Sequence, residues 1–144
     1  MDSGRDSGEG TLSIALFSGT DDKLGAAAVL AAGAVVIGRK VDILLQYWAL
    51  DAFRAGNLTK DHGLAPEAGP EEAAALRKLH EQDGAYHWSA LLAQAKELGT
   101  VRVHACSLSM ELLGLDPGDL DPLVDDVEGV TSFMLDAVGQ LVFI

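Results

Sequence analysis

The chain has 144 residues, 49% of them apolar, and carries 22 acids against 10 bases for a formal net charge of −12. That length suits one compact domain with a proper core. The acidity argues against nucleic acid or an anionic membrane as a partner, since both need a basic footprint.

Residues 1–10, MDSGRDSGEG, are small and polar, read as a disordered tail, and lack the apolar core of a signal peptide. The remaining chain, 11–144, is expected to form the domain. Thr11 to Phe17, TLSIALF, reads as a first strand that ends in a continuous apolar run. The turn SGTDD leads into a long helix, with Thr20 as its N-cap and Asp21 and Asp22 in the first turn, where acids suit the dipole. Leu24 to Gly38, LGAAAVLAAGAVVIG, is uncharged but too short to span a bilayer, which needs about 20 residues. It is rich in Ala and Gly. A helix that is apolar all round is normally buried on two sides, here against a sheet and a second subunit. Gly38 and Arg39-Lys40 close it.

Val41 to Tyr47, VDILLQY, reads as the second strand and Trp48 to Gly56 as a short helix or ordered loop. Asn57 to Pro70 carries turn residues and two prolines and reads as a loop. Pro70 to Gln82 and His87 to Leu98 follow the helical pattern, with a break at Gly84. Val101 to Ala105 is the third strand, Ser107 to Leu113 a helix stopped by Gly114, and Val124 to Val127 a short strand. Val130 to Val138 reads as a helix and Gln140 to Ile144 as the last strand. Strands alternating with helices predict an α/β fold, a single-domain three-layer α/β/α sandwich with a mostly parallel sheet of about five strands. Sites in such sheets gather at the carboxyl ends of the strands. Those ends are Ser18-Gly19-Thr20, Trp48 and Cys106, far apart in sequence.

Cys106 is the only cysteine. It excludes an internal disulfide and any metal site built from several thiolates, and it points to a reducing compartment, the cytoplasm. It stands where a strand ends and a helix begins. Unpaired backbone N–H groups at that helix start stabilise a thiolate, the nucleophilic form, and Ser107 and Ser109 add hydroxyl donors. Asp21, Asp22 and Glu111 oppose this if they lie nearby. The ordinary reading of a lone Cys is a small buried hydrophobe. His104, on the same strand face, reads as a base for Cys106 or, more ordinarily, as a hydrogen-bonded core residue. His62, His80 and His87 have no metal-ligand spacing, so no metal is expected. SGTDDK is neither a dinucleotide fingerprint nor a P-loop, and its two aspartates repel phosphate. It reads as a turn lining the pocket, and no cofactor is expected. Tyr47, Trp48 and Phe53 wall that pocket or fill the core.

Four segments together resemble the DsrE/DsrF-like family of small sulfur-relay proteins, over nearly all of Thr11 to Ile144. LFSGTDDKLGAAAVLAAGAVVIGRKVDI is similar to the family's first strand, small-residue helix and second strand. YWALDAFR resembles its aromatic segment. LLAQAKELGTVRVHACSLSMELLGL resembles its helix, strand and Cys-x-x-Ser-Met stretch, and EGVTSFMLDAVGQLVFI its closing helix and strand. The resemblance implies an α/β sandwich, homo- or hetero-oligomers, and a persulfide passed between protein cysteines. It places the sulfur acceptor at Cys106, with Ser109 and Met110 completing the motif. Two features depart from the branch with a Met- and Gly-rich middle: the stretch APEAGPEEAAALRKLHEQDGAYHW is acidic and Ala-rich, and Leu108 stands where Met is frequent.

The resulting expectation is a sulfur carrier or sulfurtransferase, homo-oligomeric, with sulfur donor and acceptor proteins as partners and neither nucleic acid nor membrane. Cys106 is the catalytic residue, and Ser18, Gly19, Thr20, Trp48, Ser107, Ser109 and Met110 shape its surroundings. A non-catalytic oligomeric scaffold with a packed Cys106 and a one-cysteine peroxide reductase are the competing readings. The second lacks the Thr-x-x-Cys context and a nearby Arg.

Overall fold

A computed structural model describes residues 10–144, so the expected tail lies, except for Gly10, outside the described residues. The order is β1 (Thr11–Leu16), α1 (Asp21–Val36), β2 (Lys40–Leu45), α2 (Tyr47–Ala52), α3 (Pro70–Gln82), α4 (Trp88–Leu98), β3 (Val101–Cys106), α5 (Ser107–Leu113), β4 (Asp126–Glu128), α6 (Val130–Asp136) and β5 (Gln140–Phe143). The strands form one five-stranded sheet in the order β4-β3-β2-β1-β5, and every pairing is parallel. The chain is thus an α/β protein with a parallel sheet flanked by helices.

Handedness explains where the helices go. Steps from β1 to β2 and from β2 to β3 advance in one direction, so right-handed crossovers put α1 and α4 on the same face. The step from β4 back to β5 reverses direction and sends α6 to the opposite face.

Side-chain alternation agrees. Leu12, Ile14, Leu16, Val41, Ile43, Leu45, Val101, Val103 and Ala105 form the main core with Leu24, Ala27, Ala28, Ala31 and Ala34 of α1 and Leu92 and Ala95 of α4. Small residues on α1 let it lie close to sheet and neighbour. Its outer side chains, Val29, Leu30 and Val36, are exposed. On the other face Leu44, Cys106 and Phe133 of α6 make a small separate cluster.

The sequence boundaries hold for α3 and α5 and shift by a residue or two elsewhere, except that α2 ends at Ala52, four residues short of the expected Gly56. The largest physical difference concerns Tyr47, expected at the end of β2. It opens α2 instead, with φ of 45°, a left-handed conformation uncommon outside glycine. The α1 helix stops at Val36 because Gly38 takes φ of 80° and turns the chain into β2.

Candidate functional site

The carboxyl edge of the sheet is built from three strand exits. Cys106 is both the last residue of β3 and the cap residue of α5. Its side chain does not bond the helix backbone, and it is 3% exposed, packed with Leu44 and Phe133. Ser107 is exposed and faces the turn at Gly129, where an added Cβ would lie 3.8 Å from Ser107 Oγ. Ser109 is buried and ties two exits together: the Tyr47 backbone N–H donates to Ser109 Oγ at 3.1 Å. Met110 is buried in the main core. Gly114 ends α5 in the left-handed region, φ 67°.

At the other two exits Gly19 lies against Trp48 so closely that a Cβ on residue 19 would stand 2.4 Å from the Trp48 carbonyl oxygen. The Ala49 N–H donates to the Phe17 carbonyl at 3.1 Å and the Gln46 N–H to the Leu16 carbonyl at 2.9 Å. Ser18 Oγ and Thr20 Oγ1 are 3.5 Å apart. The structure therefore brings Ser18, Gly19, Thr20 and Trp48 together. Cys106, Ser107 and Ser109 stand at the exit of β3, one strand from Trp48 and two strands, about 10 Å at ordinary strand spacing, from Ser18, Gly19 and Thr20, with Tyr47 between. Phe17 lies 5.2 Å from Tyr47 and 6.1 Å from Phe143 between ring centroids, and Tyr47 lies 6.2 Å from Trp48. Trp48 is 56% exposed and Phe143 69%, so the aromatic row opens to solvent. Phe53 instead fills the core against Trp88, 5.1 Å away.

His104 is not a free base for Cys106. Parallel register aligns Leu44, His104 and Asp126 across β2, β3 and β4. The imidazole is clamped by Asp42 Oδ1 at 2.8 Å on Nε2 and by Asp126 Oδ1 at 2.5 Å on Nδ1. The Asp42 hydrogen bond is the main cause that pushes its pKa from 6.5 up to about 9; burial opposes the shift, and Asp126 and Glu128 add to it. With both nitrogens donating to carboxylates, His104 is an imidazolium that binds three strands. Arg102 completes the group on Asp126 at 3.3 Å.

Glu128 is the strand partner of Cys106 across β3 and β4. Burial, with Asp126, Asp136 and Asp42 nearby, holds its carboxyl above the usual range, against the pull of His104. Sequence reasoning missed Asp42, Asp126 and Glu128, because only strand register places them beside His104 and Cys106.

Asp21 and Asp22, which would oppose a thiolate if they lay near Cys106, are engaged elsewhere. Asp21 accepts the Trp88 indole N–H at 2.9 Å and the His62 backbone N–H at 3.1 Å. Asp22 accepts the Ala65 N–H on both oxygens. Burial opposes its ionisation, yet bonds from Thr20, Ala65 and Lys23 hold it below the usual carboxylate range. These two acids pin the loop after α2. They do not serve the thiol.

Among the described residues no group of three or more His, Cys, Asp or Glu is placed to hold a metal ion, and no helix is long and apolar enough to cross a membrane.

The fold and this edge define a small parallel α/β protein with one cysteine at a strand–helix junction. The chain belongs to the DsrE/DsrF/DrsH-like family, whose profile matches residues 66–141. It is similar to the "uncharacterized protein YrkE" of Bacillus subtilis (strain 168), at 28% identity over 86% of this chain and 89% of that protein. Its fold is similar to that of the YchN protein from E. coli, with TM-score 0.53 and 15% identity over 93% of this chain and 98% of the other. It also superposes on MTH1491 from Methanobacterium thermoautotrophicum, a protein of unknown function, with TM-score 0.49 and 13% identity over 93% of this chain and 98% of the other.

Proposed function

We propose that this chain is a sulfur carrier in which Cys106 is the persulfide acceptor. The observation that carries the reading is the position of Cys106 as last strand residue and helix cap, in a chain of this family. The Cys106 thiolate attacks the outer sulfur of a donor persulfide. A new S–S bond forms on Cys106, the donor's S–S bond breaks, and the donor thiolate leaves. An acceptor thiolate then attacks the same outer sulfur and returns Cys106 to its starting state. No net oxidation occurs, and no cofactor is required.

Ser107 and Ser109 follow Cys106 in the first turn of α5, and Ser18, Gly19, Thr20 and Trp48 form the neighbouring ledge on which a partner protein docks. Phe133 covers the thiol at rest, so transfer requires α6 to move. A donor and an acceptor protein, a second copy of the chain and a cytoplasmic setting belong to this reading. Labelled sulfane sulfur offered by a small persulfide donor tests it: wild type retains label in a reducible form, and Cys106→Ser retains none. Equal labelling of the two proteins overturns the reading.

The burial of Cys106 favours a second reading, an oligomeric scaffold with a packed thiol. Alkylation of the native protein separates the two. Labelling that awaits denaturation supports the scaffold, and labelling in the folded state supports the carrier.

A further inference from the structure

A cavity of about 750 Å³ lies away from Cys106, between α3, α4 and the loop after α2. That volume falls within the range of small-molecule sites. Leu58, Leu64, Leu76, Ala93 and Leu123 supply its apolar walls. The α3 helix forms its roof: it has no buried residue and turns Ala73 and Leu76 toward the cavity.

Of the polar residues that line this space, only His87 is buried. His87 is 8% exposed and lines the cavity. Its Nδ1 accepts the Ser89 backbone N–H at 3.1 Å, capping α4, with the Ser89 hydroxyl at 2.8 Å. A backbone N–H only donates, so Nδ1 carries no proton and the proton of the neutral ring sits on Nε2. Burial favours that neutral ring, with His80 and His62 acting the same way against the pull of Asp21. Among the described residues Nε2 has no protein partner, while every fully buried side-chain nitrogen and oxygen has one. An unpartnered Nε2 is therefore not sealed in the core, and on a residue that lines the cavity its N–H is free to donate to a bound acceptor. His80 stands beside it, ring centroids 5.0 Å apart.

We infer that this cavity binds an uncharged aliphatic carbonyl compound, its chain along the leucine walls and its carbonyl oxygen accepting the His87 Nε2–H. The charge of the lining decides against a carboxylate. Asp21, Asp61 and Glu81 share the wall with Lys60 and Arg77, and Arg77 is already paired with Asp61 at 3.1 Å. An added anion would meet excess negative charge along this wall.

The test is a titration of the full chain with octanamide, followed by the His87 Nε2–H and Trp88 Nε1–H signals in nitrogen–proton spectra. Both signals shift saturably, and octanoate at the same concentrations shifts them at least about tenfold less. His87→Asn keeps an N-cap oxygen but its amide ends short of the Nε2 position and draws the donor back, and weakens octanamide binding about tenfold. Ala93→Phe fills the space and abolishes it. Cys106→Ser binds as wild type, which separates this site from the sulfur reading. Absence of saturable shifts overturns the proposal, as does tighter binding of octanoate. Unchanged affinity in His87→Asn overturns the assignment of the carbonyl to His87.

Discussion

At the scale of single residues, the covering of Cys106 by Phe133 is the feature with the clearest consequence. The two share a cluster with Leu44 alone, apart from the main core. Phe133→Ala therefore opens the thiol at a cost of about 3 kcal/mol, typical of losing a buried aromatic ring. Native-state alkylation of Cys106 followed by mass should rise at least about tenfold in this variant, with Phe133→Leu intermediate. If neither variant labels faster than wild type, Phe133 is not the cover. His104 gives a pH prediction. Its pKa is raised from 6.5 to about 9 by Asp42 first and by Asp126. A raised folded-state value means the contribution is fully present below about pH 6.5 and lost as pH rises through about 9. Urea midpoints of wild type should fall across that window, while those of His104→Gln stay level. A parallel fall in both proteins would show that another group titrates.

At the scale of elements, the turns after β1 and β2 are locked by backbone contact. Gly19 leaves no room for a Cβ against the Trp48 carbonyl, and backbone cannot yield as a side-chain end can. Gly19→Ala should cost about 1–3 kcal/mol and lower Tm by several degrees, with Gly25→Ala on α1 as a mild control that meets open space. Equal Tm in the two variants would mean that the turn relaxes freely. Much of this level was legible in advance. The Pro70 start and Gly114 stop placed α3 and α5, since both residues act through local backbone chemistry. Tyr47 was not legible, because its φ of 45° is imposed by neighbouring turns, where Ser109 holds its N–H.

At the scale of the whole molecule, one sheet face carries two long helices and the other only α6. Met134, Leu135 and Val138 near α6 and Leu141 and Phe143 of β5 stay exposed. An apolar surface of this kind marks an interface, and a second copy of the chain is its proposed occupant. Sedimentation should show self-association that Phe143→Asp with Leu135→Asp reduces to monomer without loss of helical signal. A wild-type monomer at high concentration would sink this proposal. The sequence by itself determined the α/β class, the run of elements and the strand–helix junction at Cys106, because hydrophobic period, caps and turn residues act over a few positions. Only the tertiary structure decided strand order, the clamp of Asp42 and Asp126 on His104, the burial of Cys106 under Phe133 and the cavity beneath α3. Each of those depends on register or packing between segments far apart in the chain, and no local pattern encodes such distances.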